Sequence, residues 1–243
     1  YSLYASERLD LGGGLVATGD LHFQHKTYAF RQHETKNFAG DQLNAYEVDW
    51  DFFNPKAALN WQAPGRPLGG ALQLYGTVGI NHREPTDGEL FDTWSSGSDL
   101  GAQPLFGSSR PVYAADGVTV QYVQWSDPLV KEEKVVDWEA GLGWQSGRVS
   151  LTLGAYWMDF TNEIVPYGGV NEDGSSIRGN AGATLHRGLE LGVRVKAAAR
   201  HDLQLAASRS WDEFDTFIFH DWDGAVYDYS GNPIAGFPEH LLM

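Results

Sequence analysis

The sequence predicts an all-β protein, an antiparallel up-and-down β-barrel that crosses a membrane with strands. Three observations predict it. Polar and apolar residues alternate with period two in about nine stretches. The connections between those stretches run short, long, short, long down the chain. No run approaches the roughly 20 apolar residues that a spanning helix needs, and the mean hydropathy is −0.36.

Composition narrows the function classes. Acidic residues outnumber basic ones by 32 to 17, a balance that repels phosphate backbones and argues against nucleic acid as a partner. Aromatic residues make up 13% of the chain beside 29 glycines, which fits strands, tight turns and aromatic belts better than helices. There is no cysteine, as suits an oxidising compartment. The chain opens at Tyr1 without an export signal and closes at Met243 inside what reads as a new strand, so the expectation is an internal piece of a longer protein.

The first two strands are placed near 2–11 and 15–31. The second exceeds the roughly ten residues that cross an apolar band about 25 Å tall, so its outer half stands in water. A third is expected at 55–62. In the fourth, 71–83, Leu72, Leu74, Val78 and Ile80 alternate with Gln73, Tyr75, Thr77 and Asn81. The clearest hairpin joins 135–145 to 149–162 through Ser146-Gly147-Arg148: Val136, Trp138, Ala140, Leu142 and Trp144 share one face, and Leu151, Leu153, Ala155 and Trp157 continue it. In 185–198, Leu189, Leu191, Val193 and Val195 alternate with Glu190, Gly192, Arg194 and Lys196. Strands at 203–214 and from 234 to the end complete the set.

The short connections are Gly12-Gly13-Gly14, residues 63–67, Ser146-Gly147-Arg148 and Arg200-His201-Asp202; the long polar ones are 32–54, 84–134, 163–184 and 215–233. Tight periplasmic turns and long outer loops produce this rhythm in an outer-membrane barrel, whereas a soluble sandwich has no reason to segregate loop lengths. Strands that enter long loops therefore run outward. Trp61, Trp138, Trp144, Tyr156, Trp157 and Phe160 lie near strand ends, where rim girdles are expected.

Five segments, in order, carry a resemblance. Arg83-Glu84-Pro85-Thr86 ends a strand and is followed by Glu89-Leu90. Next come Lys131-Glu132-Glu133 with Trp138-Glu139-Ala140-Gly141, then Tyr156 to Asp159 with Asn162-Glu163-Ile164, then Gly188-Leu189-Glu190, and last Gly231-Asn232-Pro233-Ile234 with Pro238. Together, across residues 55–243, they resemble the barrel of TonB-dependent outer-membrane receptors. The resemblance implies about nine strands of a barrel of about 22, filled by an N-terminal plug. On that reading residues 1–243 are a partial barrel domain, the plug and final strands lying outside the sequence. It further implies a receptor in the cell outer membrane of a Gram-negative bacterium. Such a receptor binds a scarce nutrient, a ferric siderophore or other metal chelate, and imports it with energy from the TonB complex, which it meets through the missing N-terminal region. Outer-membrane lipid and lipopolysaccharide would surround the wall.

The alternation places Asp20, Lys26, Lys56, Arg83, Asp137, Glu139, Glu190, Arg194 and Lys196 toward the lumen. Cross-strand ion pairs account for most such charges. Arg83, which ends an outward strand inside a resembling segment, is the candidate ligand contact among them. In the loop that follows, Trp94, Phe106, Tyr113, Tyr122 and Trp125 are candidates for stacking on a ligand, although a loop of this length also packs on itself. Its acidic residues Glu84, Asp87, Glu89, Asp92, Asp99, Asp116 and Asp127 either draw cations or serve solubility. His22 and His25 point to opposite faces of a strand and the other histidines lack ligand spacing, so no metal site is expected. Neither a catalytic constellation nor a cofactor motif emerges. Two other readings stay open: a secreted aromatic-rich β-sandwich that binds carbohydrate, and a passive porin.

Overall fold

The computed structural model describes residues 1–36, 38–92, 103–170, 176–220, 224–234 and 240–242. Nine antiparallel wall strands lie in chain order: β1 (Ser2–Gly12), β2 (Leu15–Arg31), β3 (Asn44–Gln62), β4 (Ala71–Arg83), β5 (Glu133–Gln145), β6 (Val149–Thr161), β7 (Ala183–Ala198), β8 (His201–Thr216) and β9 (His240–Leu242). Each pairs with its neighbours in sequence, so the sheet is a meander whose edges are β1 and β9. Short turns follow β1, β3, β5 and β7, and long connections follow β2, β4, β6 and β8. Among the described residues no helix is long and apolar enough to cross a membrane.

The register fixes the faces, because directly paired residues point the same way. Asp20 pairs with Lys56, Lys56 with Gly79, and Gly79 with Asp137. The same row continues through Met158 and His186 to Asp212. All nine expected lumen-facing charges share this side. The opposite side carries Leu59, Leu153, Leu189 and Leu205, large apolar groups left exposed by the sheet, which suits contact with lipid.

Polarity inverts along β2 and β3. The Phe23–Phe53 pair is the last apolar pair on the outer side, and His25–Asp51 and Thr27–Asp49 follow it, joined by side-chain hydrogen bonds of 2.9 and 2.7 Å. The inner side turns apolar at the same height, with Trp50, Tyr46 and Phe30. Such an exchange marks the outer boundary of the membrane: below it lipid demands apolar groups outside, above it water does. Trp61, at the foot of β3, donates its indole N–H to the Gly13 carbonyl at 3.2 Å. From residue 61 to residue 53 is about 27 Å of strand, or about 20 Å of height at a tilt of roughly 40°.

Three expectations change. β3 begins at Asn44, eleven residues ahead of the expected start at 55. Pro55 reads as a strand opening, but it sits where the ladder to β4 stops at Lys56 and no amide hydrogen is required on that side. The long connection 84–132 is not merely a loop: it holds a short helix α1 (Asp87–Leu90) and a hairpin, Phe106–Tyr113 with Val120–Pro128. The hairpin's second strand pairs in parallel with Asn44–Tyr46 and so raises the wall. Trp61, Trp138, Trp144 and Trp157 face outward as girdle residues should, but Tyr156 and Phe160 have the other parity and face the lumen. The final strand is described only at His240–Leu242, beside Ala207–Arg209.

Two glycines on the lumen face are required by close approach. The Tyr75 ring covers Gly141, its register partner, and a Cβ there would meet two ring carbons and the phenol oxygen at 2.5–2.6 Å; Tyr156 covers Gly188 in the same way. Gly141→Ala is therefore expected to destabilise the wall by about 1–3 kcal/mol, read as a lower urea midpoint of the folded barrel. An unchanged midpoint would show that the ring yields freely.

Candidate functional site at the outer mouth

Above the boundary, three connections meet the tops of β4 to β8. Thr86 opens α1, and Glu89 reaches back to accept the Thr86 amide at 2.8 Å, while the Glu89 and Leu90 amides donate to the Thr86 carbonyl. This is the glutamate half of a capping box. It drives Leu90 to complete burial and Glu89 to 6% exposure. Arg83 supplies the charge that Glu89 needs, donating Nη1 to it at 3.2 Å, and grips Glu133 with Nε at 2.8 Å and Nη2 at 3.2 Å. Burial alone would raise the Glu89 carboxyl; the Thr86 amide and the Arg83 guanidinium outweigh it and hold the group below its ordinary value. Arg178 adds a longer contact to Glu89 at 3.5 Å.

Glu133 also accepts the Ile164 amide at 3.0 Å, which ties the connection after β6 to the top of β5. Asn180 accepts the Lys131 amide and donates to the carbonyls of Lys131 and Asn162. Glu163 accepts the Thr184 hydroxyl and meets His186 Nε2 at 3.0 Å, while Asp212 meets His186 Nδ1 at 2.8 Å. His186 is 5% exposed and lies beyond Leu189, above the membrane boundary. Ser210 donates to Asp212, and the Phe160 ring stands edge-on to the imidazole.

Burial opposes charge on His186, yet Glu163 and Asp212 outweigh it and raise its pKa above 6.5. The groups around the ring include those two carboxylates and Phe160, and the Thr184 and Ser210 hydroxyls are bonded to the carboxylates. A raised folded-state value means that this anchor is fully present below 6.5 and is lost as pH rises through the folded pKa. Amide exchange at Val165, corrected for intrinsic rate, is thus expected to quicken on the alkaline side of 6.5. His186→Gln should flatten that dependence, and a wild-type profile flat from pH 6 to 9 would contradict it.

The second feature is aromatic. Tyr46, Trp50, Phe52, Leu90 and Phe106 form a buried cluster on the inner side of the raised wall, with Tyr28, Phe30, Val48 and Trp125 packed around it. Tyr46 and Phe106 rings lie 4.7 Å apart, and burial pushes the Tyr46 hydroxyl pKa up. Trp125 donates to the Asn44 side chain at 2.8 Å. Toward the hairpin tip Arg31 stacks over Tyr122 at 4.3 Å and Tyr113 is half exposed. The six sequence candidates therefore divide. Phe106 and Trp125 come together at the cluster, Tyr113 and Tyr122 lie on the tip side of the hairpin, Arg83 sits in the carboxylate network, and Trp94 lies outside the described residues.

The loop's acidic residues are largely engaged within the chain. Glu84 takes both its bonds from Lys26 at 2.6 and 2.8 Å, and Asp127 pairs with Lys131 at 2.7 Å. Asp116 closes the hairpin turn through the Thr119 hydroxyl and the Val118 and Thr119 amides, which draw its carboxyl down to about 2. Asp99 lies outside the described residues. Sequence reasoning missed His186, Glu163 and Asp212, and missed Tyr46, Trp50 and Phe52. The last three were visible as alternation within 44–54 but were assigned to a loop.

Three of the five segments that carried the resemblance, those at Arg83 to Leu90, at Lys131 to Glu133 and at Asn162 to Ile164, thus meet at this mouth. The family model described as TonB dependent receptor-like, beta-barrel matches residues 1–243. The chain belongs to the TonB-dependent receptor-like β-barrel family. Its fold is also that of solved receptors. The ferric yersiniabactin uptake receptor FyuA from Yersinia pestis aligns over 98% of this chain and 29% of its own, at 13% identity and a TM-score of 0.62. The ferric-catecholate import receptor Fiu from E. coli K12 aligns over 99% and 30%, at 14% identity and 0.58. The copper transporter OprC aligns over 88% and 30%, at 14% identity and 0.58. No curated protein sequence matches the chain. The chain spans less than a third of the length of these receptors. The family is one of outer-membrane transport receptors that work with TonB on small-molecule cargo.

Proposed function

We propose that the chain supplies wall and outer mouth to a receptor in the outer membrane of a Gram-negative bacterium. The receptor takes up a scarce nutrient, a ferric siderophore or other metal chelate, with energy delivered by TonB to a plug domain encoded outside this sequence. The observation that carries the reading is family membership over the full chain together with a mouth braced by three of the resembling segments. The ferric and copper transporters among the solved relatives support the cargo class.

On this reading Tyr113 and Tyr122 present aromatic and hydroxyl groups to cargo at the hairpin tip. Phe106 and Trp125 hold that tip in place, Arg83 fixes the rim below it, and Trp94 joins the contact set from the same loop. Cells that carry the complete gene as their sole uptake route should grow on at least one ferric or cupric chelate under metal limitation. That growth should disappear when TonB is deleted. Growth independent of TonB would favour a passive pore, and growth on none of the chelates would remove the cargo class.

A further inference from the structure

The outward face of β6 to β8 carries an arrangement that cargo uptake does not use. Trp157, Arg187 and Trp211 pair side by side across three strands, and Arg209 sits diagonally below Arg187, opposite Leu189. The Arg187 guanidinium stacks over Trp157 at 5.2 Å and that of Arg209 over Trp211 at 4.8 Å. Leu191, Val193 and Val195 continue this face toward the periplasmic turn, so the four side chains stand where the apolar band gives way to charge. Arg187 has one weak ionic contact, to Glu213 at 3.4 Å, and Asp159 is held by the Trp157 indole N–H at 3.0 Å. Among the described residues no carboxylate lies within ion-pair distance of Arg209.

An arginine on the lipid-facing side of a barrel is unfavourable unless it reaches the interface and an anion. Although the chain is acidic, at −15 overall, its described residues supply Arg209 with none. Planar guanidiniums held over indoles lose little freedom on engaging a phosphate through two N–H donors. The indoles lie at the depth where acyl chains meet head groups. We infer that Arg187 and Arg209, braced by Trp157 and Trp211, form a binding site for a phosphate of the outer-leaflet glycolipid, lipopolysaccharide. The site would anchor one lipid against β6 to β8.

This inference rests on the outer-membrane orientation proposed above, so the test begins with the receptor purified from outer membranes. Absence from that fraction refutes the orientation itself, before any lipid is added. Native mass spectrometry then compares bisphosphorylated lipid A, its dephosphorylated form and phosphatidylglycerol on wild type, Arg187→Gln, Arg209→Gln and the double variant. The bisphosphorylated lipid should be retained about tenfold better than the dephosphorylated form. Each single variant should lose several-fold, and the double variant should fall to the dephosphorylated level with an unchanged unfolding temperature. Equal retention of both lipid A forms would overturn the proposal. So would undiminished binding by the double variant or equal retention of phosphatidylglycerol.

Discussion

Phe106→Ala is expected to free the hairpin 106–128 from the wall while leaving the barrel folded. Phe106 is 6% exposed and packs on Tyr46 beside Leu90, Trp50 and Phe52. Truncation removes a ring that the rigid strands β2 and β3 cannot collapse to replace, a loss of about 3 kcal/mol. The hairpin's attachment beyond this cluster includes a three-residue parallel ladder in which the Val123 amide donates to the Leu43 carbonyl at 2.8 Å. Exchange at that amide should therefore quicken on the order of 100-fold, with little change in the barrel's own unfolding temperature. Tyr113→Ala, half exposed at the tip, should stay within about 0.5 kcal/mol of wild type while weakening cargo binding. Equal exchange in Phe106→Ala and wild type would mean that the cluster does not hold the hairpin.

Arg83→Ala should loosen two connections at once. It leaves Glu89 with the Thr86 amide and a 3.5 Å contact to Arg178, and it frees the Glu133 carboxylate that positions the Ile164 amide. Removing the partner of a buried carboxylate costs about 3–5 kcal/mol. Arg83 itself is 37% exposed, so water screens part of the loss and about 2–3 kcal/mol is expected. Exchange at both the Thr86 and Ile164 amides should rise together. Lysine should restore little, because one ammonium cannot serve two carboxylates in the guanidinium's geometry. Because Glu89 is depressed below 4.5, the junction's support is present above that value and fades as pH falls through the lower folded one. If only one amide responds, Arg83 does not couple the two connections.

The wall was legible because lipid on one side and water on the other impose strict alternation, which a single sequence displays. Loop lengths were legible for the same reason, since only one end of each strand faces the periplasm. The mouth was less so. Above the boundary both faces meet protein or water, alternation inverts, and residues 44–54 read as polar loop although they continue β3. Tyr156 and Phe160 were placed in the girdle by proximity to a strand end, when parity sends them to the lumen. Arg83-x-Pro-Thr with Glu89-Leu90 stood out as a pattern, and its cause is the Glu89 cap on the Thr86 amide, closed by an ion pair. The His186 anchor left no local signal, because Glu163, His186 and Asp212 come from three separate elements.

The central claim is that the hairpin tip faces the outside and the short turns face the periplasm across a strand-built wall. The chain has no cysteine, so a thiol introduced into it is unique within it, and the complete receptor without the substitution gives the labelling background. Val118, 79% exposed at the hairpin turn, and Gly147, in the open turn between β5 and β6, are the two positions to compare. In intact cells expressing the complete receptor, a membrane-impermeant maleimide should label Val118→Cys fully. Gly147→Cys should be labelled only after the outer membrane is permeabilised. Labelling of both in intact cells, or of Gly147→Cys alone, would contradict the account.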